Sequence, residues 1–269
     1  MLTIDKVKKA EHLLKDVIRK TDLIFAPDLA KNSEIYLKSE NLKKTGSFKV
    51  RGAYAKIARL SDEQKKKGII ACSAGNHAQG VALAAQKNGI QSKIFIPSTA
   101  PISKIEATKS YGAQICLVDG VYDDAYNEAV QCQQETGAEF IHPFDDIEVI
   151  AGQGTIALEV LEQLPEVEAV IVPIGGGGLI SGIAYTIKML KPECKVYGVQ
   201  AAGAGSMYYS IEHHKRTELP AVHTFADGTA VKMPGENTFA LCEKYVDKIV
   251  TVTDDEIATA VLTLMEHQK

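Results

Sequence analysis

The stretch GIIACSAGNHAQGVALAAQKNG, residues 68–89, decides the fold. Its opening, GIIAC, is short, apolar and rich in β-branched residues, and reads as a buried strand. Small residues follow, and NHAQGVALAAQKNG then carries a helical pattern that Gly89 ends. A strand that turns directly into a helix is the first half of a parallel crossover, because parallel neighbours need a connection long enough to hold a helix. The unit recurs downstream. KIFIP predicts a strand, and PISKIEATKSYG a helix with Pro101 at its start and Gly112 just past its end. AQICLVD predicts a strand, the segment after Gly120 a helix, and EFIHPF a strand. Next come the helix GTIALEVLEQL, the strand EAVIVPI, the helix LISGIAYTIKML and the strand KVYGVQ. KIVTVT is a late strand, and a last helix runs to Lys269 with Asp254 as its N-cap. Upstream, Ile4, Val7, Ala10, Leu14, Val17 and Ile18 recur at helical spacing, and IYLK is a short strand. The pattern defines an α/β fold rich in parallel sheet.

Bulk properties narrow the function. A chain of 269 residues makes one large or two ordinary domains. The net charge of −4 gives no basic footprint for nucleic acid. No apolar run reaches the roughly 18 residues that would span a membrane. The first residues, MLTIDKVKKAEHLLKDVIRK, are charged throughout and lack the apolar centre of a signal peptide. Cys72, Cys116, Cys132, Cys194 and Cys242 are scattered without C-x-x-C spacing, as reduced thiols of a cytoplasmic protein would be.

Three stretches carry chemistry. In VPIGGGGLISG, residues 172–182, a strand runs through four glycines into a helix. Glycine lets several N–H groups turn toward one point, and the helix N-terminus adds partial positive charge, so the turn is a phosphate cup. The dinucleotide pattern G-x-G-x-x-G fails here, because its last position falls on Ile180 or Ser181, and no Gly-Lys-Ser/Thr loop is present. A single phosphate monoester fits better. In SAGNHAQG, residues 73–80, Ser73, Asn76 and the free N–H groups of a first helical turn suit a carboxylate or another small anion; a plain capping turn is the alternative. Lys49 lies between Phe48 and a helix start, and burial would lower its pKa and fit it for carbonyl chemistry. One phosphorylated aldehyde that bonds to a lysine, pyridoxal 5′-phosphate, unites the three. His142, Asp145 and Asp146 read as structural residues, the two acids as caps of the next helix, and His213 and His214 as part of a solvated turn.

ENLKKTGSFKVRGA, ACSAGNHAQGVA, VIAGQGTIALEV, PIGGGGLISG and ADGTAV together resemble the threonine/serine dehydratase family of pyridoxal-phosphate enzymes. The resemblance runs from about Ile4 to the end. It implies the two-domain fold type II of such enzymes, shared with the tryptophan synthase β-subunit. Residues 1–52 and 149–269 would form the large cofactor-binding domain and residues 53–148 the small one. Lys49 would bond covalently to the cofactor and act as the catalytic base. Phe48 would pack near the ring, and Asn76 would hydrogen-bond the ring hydroxyl. Gly175, Gly176, Gly177, Gly178 and Leu179 would hold the phosphate through backbone N–H groups. Ser73, Ala74, Gly75 and His77 would line the pocket for the substrate carboxylate, and residues 226–228 would form another wall. The activity implied is elimination of L-threonine to 2-oxobutanoate and ammonia, with L-serine to pyruvate as a second reaction. A homodimer or homotetramer is expected, with neither nucleic acid nor membrane as partner.

Racemase and hydroxyaspartate dehydratase are the alternatives within the family; a non-catalytic binding protein or an inactive fragment is the alternative outside it. The related racemases carry a second serine where this chain has Ala74, which has no proton to deliver. They also carry a divalent-metal site whose carboxylates match Gln200 and Ser206 here, and neutral oxygens alone bind such ions poorly, so no metal site is expected. The family continues for a further strand and helix, which leads to the expectation that the C-terminal part of the large domain is missing.

Overall fold

The computed structural model describes residues 1–268. In chain order its elements are α1 (Ile4–Leu14), β1 (Leu23–Phe25), β2 (Tyr36–Lys38), α2 (Lys49–Ile57), α3 (Asp62–Lys67), β3 (Ile69–Cys72), α4 (Asn76–Lys87), β4 (Ser92–Pro97), α5 (Ile102–Lys109) and β5 (Gln114–Val118). There follow α6 (Tyr122–Thr136), β6 (Glu139–Phe140), α7 (Ile147–Gln163), β7 (Ala169–Pro173), α8 (Gly178–Leu190), β8 (Lys195–Ala201), α9 (Ser206–Glu212), α10 (Glu236–Tyr245), β9 (Lys248–Val252) and α11 (Asp254–His267). They divide into two compact units, one of Met1–Arg19 with Glu40–Gln153, the other of Lys20–Ser39 with the chain from Gly154 onward.

The first unit is built on a parallel sheet of order β5-β4-β3-β6. Alternate residues of a strand face opposite sides. Accordingly Ile69 and Ala71 of β3 join Ala78, Val81 and Ala82 of α4, while Ile70 and Cys72 join Ala125 and Ala129 of α6. The chain steps outward from β3 through β4 to β5 and then returns to lay β6 on the other flank of β3. The direction of winding therefore reverses between β3 and β6. Open parallel sheets receive ligands beyond the carboxyl ends of the strands at such a reversal. Here those ends lead into residues 73–75 and 141–143.

α2 joins this unit by backbone contact. A Cβ on Gly152 of α7 would lie 2.6 Å from the Arg51 carbonyl oxygen and 2.6 Å from the Gly52 Cα. One on Gly52 would lie 2.7 Å from the Val149 carbonyl oxygen, and one on Gly80 of α4 would lie 3.0 Å from the Val50 nitrogen. This packing groups α2 with α4, whereas the division expected from sequence cut the chain at residue 52.

The second unit holds the parallel sheet β7-β8-β9, with α8 crossing from β7 to β8 and packing on α10, and the antiparallel pair β1-β2.

Several elements depart from the sequence reading. β6 stops at Phe140 instead of running through His142 and Pro143. α7 begins at Ile147 rather than Gly154, because Asp146 Oδ1 accepts from the N–H groups of Glu148 (2.7 Å) and Val149 (3.1 Å) and caps it. Tertiary packing overrides the poor helix propensity of Gly152 and Gly154. Thr253, not Asp254, is the N-cap of α11, in a reciprocal box with Glu256. The Asp254 carboxylate instead accepts from Thr224 Oγ1 (2.6 Å) and the Phe225 N–H (3.1 Å). The expected continuation of this helix to Lys269 lies outside the described residues. Among the described residues no helix is long and apolar enough to cross a membrane.

Gly152→Ala should lower stability by about 2–3 kcal/mol, since its methyl group meets backbone that cannot rotate away. Urea unfolding read by far-ultraviolet circular dichroism checks this, and an unchanged midpoint would contradict the packing described.

Candidate active site

The first unit gathers most of the expected residues at its sheet reversal. Lys49 is the first residue of α2, and its N–H donates to Ser47 Oγ (3.3 Å). Its Nζ donates to the Pro143 carbonyl oxygen (2.8 Å) and stands 5.5 Å from the centre of the Phe48 ring. Burial lowers the amine's pKa from 10.5 to about 8. At pH 7 about a tenth of such an amine is free base, against less than about one part in a thousand for an ordinary lysine.

Beside it, α4 begins without a side-chain cap at Gly75. Ser73 Oγ accepts from the Gly75 N–H (3.1 Å), Ala74 is half-buried and Asn76 is exposed. A Cβ on Gly75 would meet open space. The unpaired N–H groups of this first turn can therefore receive a small anion. His77 is buried, 3% exposed, and its Nε2 lies 2.8 Å from the Ile141 carbonyl oxygen. A carbonyl only accepts, so the ring proton sits on Nε2 and Nδ1 is a bare acceptor, buried without a hydrogen-bond partner. Burial, and then the charge of Lys49, pull the His77 pKa down to about 3.

His142 is structural, in agreement with its reading from sequence. Its Nδ1 accepts from the Asp145 N–H (2.8 Å) and the Phe144 N–H (3.3 Å), its ring stands edge-on to Phe144, and burial pulls its pKa down. Sequence reasoning assigned nothing to Pro143, Lys56 or Arg51. Lys56 Nζ bridges Glu139 Oε1 (2.9 Å) and Asp146 Oδ2 (3.0 Å). Arg51 is 1% exposed and grips Glu40 through Nε and one terminal nitrogen, both at 2.8 Å. Arg51 stands inside the quoted ENLKKTGSFKVRGA motif, so its partner was within reach of sequence. No signal marks the Pro143 carbonyl.

The second unit carries the four-glycine turn. Gly177 has φ +96° and is the N-cap of α8, which has no side-chain cap. A Cβ there would lie 2.6 Å from Met207 Cε and 2.9 Å from Thr238 Cβ. Thr238 Oγ1 donates to the Gly176 carbonyl oxygen (2.7 Å), which fixes that carbonyl. Gly175 packs against Thr229, next to the 226–228 stretch, with 3.2 Å from an added Cβ to the Thr229 Cα. Gly176, Gly177 and Gly178 are buried, and Leu179 is half-buried. Gln200 and Ser206 each bond to main chain: Gln200 Nε2 donates to the Ala204 carbonyl (3.2 Å), and Ser206 Oγ to that of Val231 (2.8 Å).

A desolvated lysine, an uncapped helix start at a sheet reversal and a glycine turn onto a second uncapped helix are the equipment of an enzyme that bonds an aldehyde and binds anions. The chain belongs to the pyridoxal-phosphate dependent enzyme family, whose model matches residues 14–269. It is 52% identical over 271 residues to an L-threonine ammonia-lyase of Thermotoga maritima, covering all of this chain and 68% of that protein. Among solved structures it resembles the processed form of threonine deaminase isoform 2 from Solanum lycopersicum, with TM-score 0.95, 40% identity, and coverage of 98% of this chain and 78% of that one. Maize serine racemase is also similar, with TM-score 0.96, 37% identity, and coverage of 99% and 82%. The fold is thus that of the type II pyridoxal-phosphate enzymes, as the sequence motifs implied. The residues fit the cofactor: burial is the cause of the depressed Lys49 pKa, and an added Cβ would lie 3.2 Å from Thr229 at Gly175 and 2.6 Å from Met207 at Gly177, so the turn takes glycine.

Between pH 8 and 10.5 the native state binds fewer protons at Lys49 than the unfolded chain, so stability rises with pH across that window. Lys49→Met should therefore stabilise the cofactor-free protein at pH 7 by about 1–2 kcal/mol, after subtracting the lost hydrogen bond. The advantage should disappear by pH 10.5, the ordinary lysine value. Urea titrations at the two pH values measure it.

Proposed function

We propose that this chain catalyses α,β-elimination of L-threonine to 2-oxobutanoate and ammonia, with L-serine giving pyruvate in a slower second reaction. The observation that carries the reading is the half-buried Lys49, whose Nζ donates to the Pro143 carbonyl and whose pKa is lowered to about 8, in the same unit as the uncapped start of α4. The 52% identical ammonia-lyase supports the choice of substrate.

Pyridoxal phosphate, when bound, supplies a conjugated ring that draws off the electrons left by a bond broken at the substrate Cα. The rest falls to the protein. Lys49 would anchor the cofactor aldehyde through Nζ, with Phe48 beside the ring. The N–H groups of Gly175, Gly176, Gly177, Gly178 and Leu179 would hold the phosphate, at the positive end of α8. Ser73, Ala74, Gly75 and the first turn of α4 would receive the substrate carboxylate, and Asn76 would donate to the ring hydroxyl. Lys49, once free, takes the Cα proton on its neutral Nζ. Loss of the β-hydroxyl and later hydrolysis give the 2-oxo acid and ammonia, so the net reaction neither consumes nor releases water.

Racemase is the second reading, favoured by the likeness to maize serine racemase. Ala74 speaks against it, having no proton to give to the opposite face of the substrate. We assign the protein to the cytoplasm, supported by its five free cysteines. We also assign a homo-oligomer, supported by the exposed apolar side chains of Leu262 and Met265 on α11.

The deciding assay is 2-oxo acid formation from each amino acid with the cofactor supplied. Wild-type protein should turn over threonine faster than serine, and Lys49→Ala should lose activity by about a thousandfold or more while keeping its circular dichroism spectrum. D-serine formed from L-serine without matching ammonia would move the assignment to racemase. Gly177→Ala should weaken cofactor binding about tenfold or more in equilibrium dialysis, because the added methyl distorts the phosphate turn.

A further inference from the structure

Residues 139–146 carry the chain from β6 to α7, and the first unit holds them at several points. The Ile141 N–H donates to the Ile70 carbonyl (2.8 Å), which fixes the exit from the sheet. The Ile141 carbonyl accepts from His77 Nε2 (2.8 Å), and the Pro143 carbonyl from Lys49 Nζ (2.8 Å). His142 Nδ1 gathers the next two free N–H groups. Lys56 clasps Glu139 at one end of the segment and Asp146 at the other. Lys49 and Lys56 are seven residues apart, close to two helical turns, so both point from one face of α2. Proline has no N–H, so the Pro143 carbonyl is its one backbone hydrogen-bonding group.

We propose that this segment is a rest for the reactive amine: the Pro143 carbonyl holds Lys49 Nζ whenever it is not covalently engaged, and His77 is the positioning residue that sets this carbonyl through Ile141. The inference rests on the reading of Lys49 as the reactive amine. It gives His77 a different task from lining the substrate pocket, since the ring's donor nitrogen is engaged with main chain and its other nitrogen is buried. The amine must be held without a counter-charge if it is to stay a base. A carbonyl and two histidines do this, because neither ring adds a cation: both are neutral at pH 7 through burial, and Asp145 and Asp146 act on His142 rather than on the amine. Loss of the His77 bond would leave the Ile141 carbonyl unpaired, let the segment shift toward water and rehydrate the amine.

The test uses cofactor-free protein, with pyridoxal lacking its phosphate as the probe. Adducts are fixed by borohydride across a range of pH, and the modified peptide is identified by mass. Wild-type Lys49 should label with a midpoint near pH 8. His77→Leu should label about tenfold more slowly at pH 7.5, as a one-unit rise in pKa demands. His77→Gln, which places a donor where Nε2 stands, should recover to within about threefold of wild type. Equal labelling of wild type and His77→Leu would overturn the proposal, as would a glutamine variant no better than leucine. A ¹⁵N spectrum of the wild-type imidazoles checks it without any variant: His77 should be the Nε2–H tautomer and remain neutral at pH 5, given its pKa of about 3, and protonation near 6.5 would also overturn it. With cofactor and threonine supplied, His77→Leu should lose kcat about tenfold with KM within about twofold, whereas a substrate-lining role would raise KM. Failure of wild-type protein to label at Lys49 would remove the underlying reading; labelling that ignores His77 removes this inference alone.

Discussion

The contact on which the first unit depends is backbone against backbone. α2 touches α4 and the first turns of α7 at Gly52, Gly80 and Gly152, where even a methyl group would meet main chain within about three ångströms. Side chains can change rotamer, but main chain in a helix cannot, so the start of α2 has little freedom to move. That start is Lys49. An amine on a long flexible stem is aimed only as well as its Cα is fixed, and here three positions without side chains fix it. Beyond the β6 flank of the sheet reversal, the Pro143 carbonyl then supplies the amine's acceptor, and the Ile141 carbonyl that of His77.

The charges of this unit are arranged around the same requirement. A carboxylate near Lys49 would restore its ordinary pKa, and the acids in this part of the sequence are occupied elsewhere. Glu40 takes Arg51 in a two-pronged pair and Lys43 at 3.6 Å, while Glu139 and Asp146 take Lys56. Buried pairs of this kind contribute little net stability, because desolvation offsets most of their attraction. Their effect is on geometry. Arg51 ties the approach loop to α2 two residues past Lys49, and Lys56 ties the 139–146 segment to the same helix further along. What stands against Nζ is a carbonyl and an aromatic ring, and the two histidines that feel its charge are neutral through burial.

Much of this was legible in the sequence because the signals were local. GIIAC followed by NHAQGVALAAQKNG fixes a strand, a turn and a helix from period and composition alone, and four glycines between an apolar strand and an apolar helix mark a tight strand-to-helix turn. What escaped was non-local or masked by weak propensity. α7 was read too short because Gly152 and Gly154 look like breakers, and its true start shows only in the Asp146 cap. The length of β6 is set by how far β3 runs beside it, which its own residues do not encode. His77 looked like a pocket residue because it sits inside a motif, yet its ring turns back to the Ile141 carbonyl, a partner 64 positions away. The Pro143 acceptor is a backbone atom, and any residue has one.

The four-glycine turn has one more property. Glycine-rich loops are usually the most mobile parts of a chain, and a ligand must then restrict them when it arrives. In this turn Thr238 grips the Gly176 carbonyl while Met207 and Thr229 crowd Gly177 and Gly175. The conformational restriction is imposed during folding rather than at the moment of capture. On the proposed function, an incoming phosphate monoester would meet a turn already preorganised, and its encounter would be governed by diffusion and by shedding its hydration shell rather than by waiting for a loop to order.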